Sequence, residues 1–111
     1  MIKIEIFRKN NNICRFKLSG HAGYSQAGQD IVCAAVSMLV INTINSIETL
    51  TEAEIICSYS NDGGELDCSL PGIISGKCEK DASLLLEAMV LGLNSVKQEH
   101  GEYILISNRE V

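Results

Sequence analysis

Apolar and charged positions alternate from the start of the chain. Ile2, Ile4 and Ile6 fall on one side of an extended backbone and Lys3 and Glu5 on the other, the period-two pattern of a half-buried strand. The pattern stops at Lys9-Asn10-Asn11-Asn12, a turn sequence, and resumes over 13–18, so the first two strands form a hairpin. Residues 19–29 carry Gly20, Gly23 and Gly28 and hold neither period, which predicts a loop. From Asp30, read as an N-cap, the period lengthens to that of a helix running to about Leu50. Its apolar positions are Ile31, Val32, Cys33, Val36, Leu39, Val40, Ile44 and Ile47. Two further strands, 53–59 and 65–70, flank the hairpin turn Asn61-Asp62-Gly63-Gly64. Pro71-Gly72 marks another turn. A second helix is predicted over 81–98, with Leu85, Met89 and Val96 along one face and Gly101 ending it. A last strand covers 103–106. The order ββαββαβ predicts an α+β fold, a mostly antiparallel sheet packed with two helices.

Composition narrows the class. A chain of 111 residues fits one domain, 1–111, and buries a core without disulfide or metal staples. With 46% hydrophobic and 21% charged residues it is neither disordered nor unusual for a globular protein. No apolar run is expected to reach the roughly 20 residues that span a bilayer; the longest, 31–41, is interrupted by Ser37 and reads as a buried helix. The alternating N-terminus does not have the charged-then-apolar pattern of a signal peptide, so a cytoplasmic location is expected. The odd count of five cysteines, Cys14, Cys33, Cys57, Cys68 and Cys78, widely spaced, argues against a disulfide framework. No CxxC or HxxxH pattern suggests a metal, and no cofactor is expected.

Formal net charge is -5 at pH 7, with a pI near 4.9. Phosphate backbones repel such a surface, which disfavours direct nucleic-acid binding. A basic protein partner is attracted instead.

The chemistry concentrates between Gly20 and Ser37. A histidine at a strand exit, His21, precedes a cysteine, Cys33, in the first turn of a helix. With Asp30 as N-cap, Cys33 is the third helical residue, where N–H groups have no intrahelical partner and the dipole favours a thiolate. His21 can take the thiol proton and return it to a leaving amine, while the same N–H groups hold an oxyanion. Asp30 opposes the thiolate by its charge, unless it orients His21 as a third triad member; a plain cap is the commoner role. Ser37, one turn beyond Cys33, either bonds the thiolate or His21, or bonds back within the helix. The glycines of the intervening loop either let it close over a peptide, with Tyr24 touching substrate, or only satisfy turn geometry.

Gly20-His21-Ala22-Gly23-Tyr24 followed by Gly28-Gln29-Asp30-Ile31-Val32-Cys33-Ala34-Ala35-Val36-Ser37 resembles the signature of the ribosomal-processing cysteine protease family, Prp, a GHAGY-type loop and then G-x-D-[IV]-[VI]-C-A-A-[VI]-S. The resemblance implies a small homodimeric α+β peptidase that removes a short N-terminal extension from a large-subunit ribosomal protein, cutting after an apolar, aromatic-containing sequence. It implies a catalytic dyad of His21 and Cys33, supporting roles for Asp30 and Ser37, and a substrate loop holding Gly20, Gly23, Tyr24 and Gly28. An acidic enzyme suits a basic ribosomal protein and is repelled by exposed RNA, so cleavage before assembly is expected.

Other polar residues read as structural. His100 meets a helix C-terminus. Cys14, Cys57, Cys68 and Cys78 lie in or beside strands, and Glu48, Glu52 and Glu54 form a solvated cluster. The aliphatic excess of the first helix serves either burial or a dimer seam. Two other function classes remain in view, a non-catalytic module binding a basic ribosomal protein and a redox or acyl-transfer protein using Cys33 alone. Membrane association is not expected.

Overall fold

The computed structural model describes residues 1–20, 27–61 and 64–111, apart from the side chains of residues 27–30. In chain order the elements are β1 (Ile2–Lys9), β2 (Asn12–Ser19), α1 (Ala27–Leu50), β3 (Ile56–Tyr59), β4 (Glu65–Ser69), α2 (Pro71–Ile74), α3 (Lys80–His100) and β5 (Ile104–Glu110). Asn10 and Asn11 take φ of 49° and 71° between β1 and β2, the left-handed pair a two-residue hairpin requires and asparagine tolerates.

The strands form one sheet of order β3-β4-β2-β1-β5. Three pairings are antiparallel and one, β1 with β5, is parallel, so the expected α+β, mostly antiparallel sheet is what forms. The period-two pattern sends Ile2, Ile4, Ile6, Phe16, Leu18, Leu66 and Cys68 to one face, where they are buried. Val32, Val36, Val40, Ile44 and Ile47 of α1 and Ala82, Leu86, Met89 and Leu93 of α3 complete the core. Arg15 marks the opposite face. Its guanidinium donates to both Asp67 oxygens at 2.9 and 2.6 Å and lies 4.9 Å from the centre of the Phe7 ring.

α1 and α3 run antiparallel side by side. Residues Ile31 and Ala35 near the start of α1 share a groove with Ser95, Val96, Glu99 and His100 at the end of α3. Farther along, a Cβ at Gly92 would stand 2.9 Å from Leu39 Cδ2, so glycine permits the close approach of the two helices. Arg8 of β1 pairs with Glu87 of α3 at 2.6 Å. The charge of Glu48, near the end of α1, acts on Cys57 and Cys68. α3 therefore lies toward β1, and the end of α1 toward β3 and β4.

Several sequence expectations need correction, three of them at the level of the elements. Residues 27–29 are helical, not loop. Pro71-Gly72 opens the short helix α2, which buries Ile73; proline suits the first helical position because its missing N–H has no partner there anyway. By length and composition, Ile31–Leu50 is apolar enough to cross a membrane, although the interruption at Ser37 suggested a shorter run. In this fold one side of that helix lies against the sheet.

Candidate active site

β2 carries the chain to Gly20, whose φ of +82° lies where side chains are strained. Its N–H donates to the Gly64 carbonyl at 3.2 Å. This ties the exit of β2 to the turn between β3 and β4. His21, Gly23 and Tyr24 lie outside the described residues, as does the expected meeting of His21 with Cys33.

α1 resumes the description at Ala27, which makes Asp30 its fourth residue and Cys33 its seventh. Gly28 is therefore helical. Asp30 is not the N-cap, and Cys33 does not sit in the first turn. The helix is longer upstream because Ala27 and Gln29 are good helix formers and one glycine costs only about 1 kcal/mol. The N–H groups of residues 27–29, in the first turn, have no intrahelical partner, and the N–H of Cys33 lies inside the ladder. The helix start still favours negative charge near Cys33. Helical Cα–Cβ bonds tilt toward the N-terminus, so a side chain in the second turn reaches back over the first. There the unpaired donors of the first turn remain able to receive an oxyanion.

Cys33 is half-buried and packs against the core, and Ser37, one turn later on the same flank, is also half-buried. At about 100° per residue, Cys33 and Ser37 sit between the buried side of Val32, Val36 and Val40 and the exposed side of Ala34, Met38 and Ile41. Ile31 and Ala35 face α3. The flank bearing the thiol thus turns away from α3, toward the β4–β3 side of the sheet.

None of the five cysteines is in a disulfide. Burial pushes the thiols of Cys14, Cys57 and Cys68 above the ordinary cysteine range, which keeps them protonated and poorly nucleophilic. Cys57 and Cys68 face each other across β3 and β4 with Sγ atoms 2.7 Å apart. Cys78 is exposed. His100 is the last residue of α3, in the position its dipole role requires. Glu48, Glu52 and Glu54 are exposed, as expected of a solvated cluster. Among the described residues no group of three His, Cys, Asp or Glu side chains is placed to hold a metal ion. Sequence reasoning assigned nothing to the sheet edge at β3, because edge position follows from strand order and leaves no motif.

Comparison with known proteins extends beyond the motif. The family model for the cysteine protease Prp matches residues 1–105. The chain is 28% identical over 108 residues to the ribosomal processing cysteine protease Prp of Bacillus subtilis, covering 96% of each. Its structure is similar to that of SMU.848 from Streptococcus mutans, with 31% identity and a TM-score of 0.89 over 100% of this chain and 96% of that one. It is also similar to the S. aureus protease Prp solved with a covalently linked product peptide, with 26% identity and a TM-score of 0.83 over 98% of this chain and all of that one.

Proposed function

The chain belongs to the cysteine protease Prp family and is a ribosomal processing cysteine protease, and from that premise we propose that Cys33 is its nucleophile and His21 its general base. The substrate in this reading is a large-subunit ribosomal protein whose N-terminal extension is removed in the cytoplasm before assembly. His21 takes the Cys33 proton, and Sγ attacks the scissile carbonyl carbon. The oxyanion that forms is held by the open N–H groups at the start of α1. Collapse expels the amine, which receives the proton from His21, and leaves a thioester. Water, deprotonated by His21, then releases the acid and restores the thiol. Asp30 and Ser37 are the supporting residues, and Gly20, Gly23, Tyr24 and Gly28 belong to the segment that meets substrate.

The observation that carries this reading is the unbroken motif from Gly20 to Ser37, with Cys33 on the thiol-bearing flank of α1 one turn above its open N–H groups. Incubation with a peptide spanning the extension junction should yield two products, cut after the apolar, aromatic-containing sequence and resolved by mass. An intact peptide after prolonged incubation with folded, reduced protein would sink the reading.

The assembly we propose is a homodimer. Met38 on α1 and Leu84 and Leu91 on α3 are 69%, 69% and 71% exposed. With Ile41 they make the outer side of the helical layer apolar, a surface that water disfavours and a second copy would cover. Sedimentation should give a dimer mass that falls to monomer in Met38→Glu/Leu91→Glu. A monomeric wild type would reject this surface as a seam.

A further inference from the structure

We propose that the free edge of β3 is a docking rail on which an extended, basic segment of the substrate protein adds as a further strand. The inference rests on the peptidase reading and deepens it, assigning the substrate a conformation and a charge.

Register determines which backbone groups are available. The Ser60 N–H donates to the Glu65 carbonyl at 2.9 Å, making 60 and 65 a hydrogen-bonded pair. Antiparallel ladders alternate such pairs with non-bonded ones. Ser58 with Asp67 and Ile56 with Ser69 therefore bond, whereas Cys57 opposite Cys68 and Tyr59 opposite Leu66 do not. The N–H and C=O groups of Cys57 and Tyr59 consequently point outward from the sheet. Among the described residues they have no backbone partner there. Edge strands usually defend such groups with lysine, proline or a bulge, and β3 carries no lysine or proline. Ile56 is 49% and Tyr59 64% exposed. The opposite edge, β5, ends instead in Arg109 and Glu110.

Charge selects the occupant. Residues 18–76 hold seven carboxylates and no lysine or arginine, while all nine basic side chains lie elsewhere. This stretch contains both the Cys33 flank of α1 and the whole β3–β4 hairpin. Of its carboxylates, Asp67 is neutralised by Arg15. Glu48, Glu52, Glu54 and Glu65 have no ion-pair partner among the described residues, and Glu54 and Glu65 lie just before β3 and at the start of β4. An acidic edge repels a second copy of itself, whereas a strand carrying lysine or arginine gains backbone bonds and charge pairing together.

Position relates the rail to the thiol. Tyr59 pairs with Leu66, which pairs with Leu18 near the exit of β2. The start of α1 lies at this same end of the sheet, since it neighbours the end of α3, which leads into β5 where Ile104 pairs with Ile2. A strand added outside β3 therefore lies at the same end of the sheet as the start of α1, on the side to which Cys33 and Ser37 turn, away from α3.

The test uses Cys33→Ser protein and a synthetic peptide with three lysines beside an apolar, aromatic-containing cleavage sequence. Amide exchange at saturating peptide should slow by about tenfold or more at Cys57 and Tyr59, with little change at the already bonded Ile56 and Ser58. The same peptide with glutamate for each lysine should bind at least about tenfold more weakly. Unchanged exchange at Cys57 and Tyr59 under saturation, or equal affinity for the two peptides, overturns the rail. Cleavage of the basic peptide by wild type separates the two claims. Cleavage without edge protection rejects the rail and keeps the peptidase, and protection without cleavage does the reverse.

Discussion

Replacement of Cys33 by serine or alanine should lower peptide cleavage by about 10⁴-fold or more, the scale on which a covalent catalyst loses rate when its nucleophile is removed. The loss should fall on kcat, with KM changed little, because Cys33 occupies one half-buried position on a helix held by many other contacts. His21→Ala should produce a loss of similar order, since an unassisted thiol leaves the amine without a proton donor. That pairing separates three functions. A binding module would keep its affinity in both variants and show no cleavage in wild type. A redox protein would need Cys33 and tolerate His21→Ala. The remaining thiols sharpen the measurement, because burial holds Cys14, Cys57 and Cys68 protonated. In a Cys78→Ser background, a single fast-reacting equivalent of iodoacetamide should therefore report Cys33. Its disappearance in Cys33→Ser should coincide with the loss of cleavage; retained cleavage would reject the nucleophile.

Much of this architecture is legible without coordinates, and the exceptions have physical causes. The β1–β2 hairpin could be read because alternation and an asparagine turn agree. The start of α1 could not, since three glycines between 20 and 28 resemble a loop while the helix propagates upstream into Ala27. β3 is shorter than its apolar run suggests, because residues 53–55 lead into the edge without pairing to β4. β5 is longer for the opposite reason. Residues 107–110 lack apolar alternation, yet the ladder with β1 continues to Glu110, aided by Arg109 lying 3.6 Å from Glu5. For the proposed site, residue identities are what single out His21 and Cys33, since a cysteine–histidine dyad needs particular atoms at a particular spacing. The direction in which the Tyr59 N–H points depends on register with β4, and no residue type encodes that. The charge division at residues 18–76 is visible in the sequence but acquires meaning only once β3 is placed at an edge.

Gly20→Ala should cost about 3 kcal/mol of stability. Part of that is the left-handed backbone, φ +82°, where a Cβ costs about 1–2 kcal/mol. The rest is steric, because a Cβ at Gly20 would stand 2.2 Å from the Met1 carbonyl oxygen and 3.3 Å from its carbon. Backbone cannot yield as a side-chain tip does, so relief requires separating the start of β1 from the exit of β2, at overpacking costs of about 1–3 kcal/mol. The same displacement strains the Gly20 N–H bond to Gly64 and with it the turn beside the β3 edge. Gly76 isolates the backbone part, having φ +93° with nothing within 4 Å of its would-be Cβ. Gly76→Ala should therefore lose only about 1–2 kcal/mol. In thermal melts Gly20→Ala should fall roughly 12–24 °C and Gly76→Ala well under that, at about 4–8 °C per kcal/mol for a domain of this size. Only Gly20→Ala should also depress cleavage at temperatures where both variants remain folded, since Gly20 is joined directly to His21. Equal melting shifts in the two variants would mean that the contact with Met1 contributes nothing, and undiminished cleavage by folded Gly20→Ala would separate this turn from the chemistry.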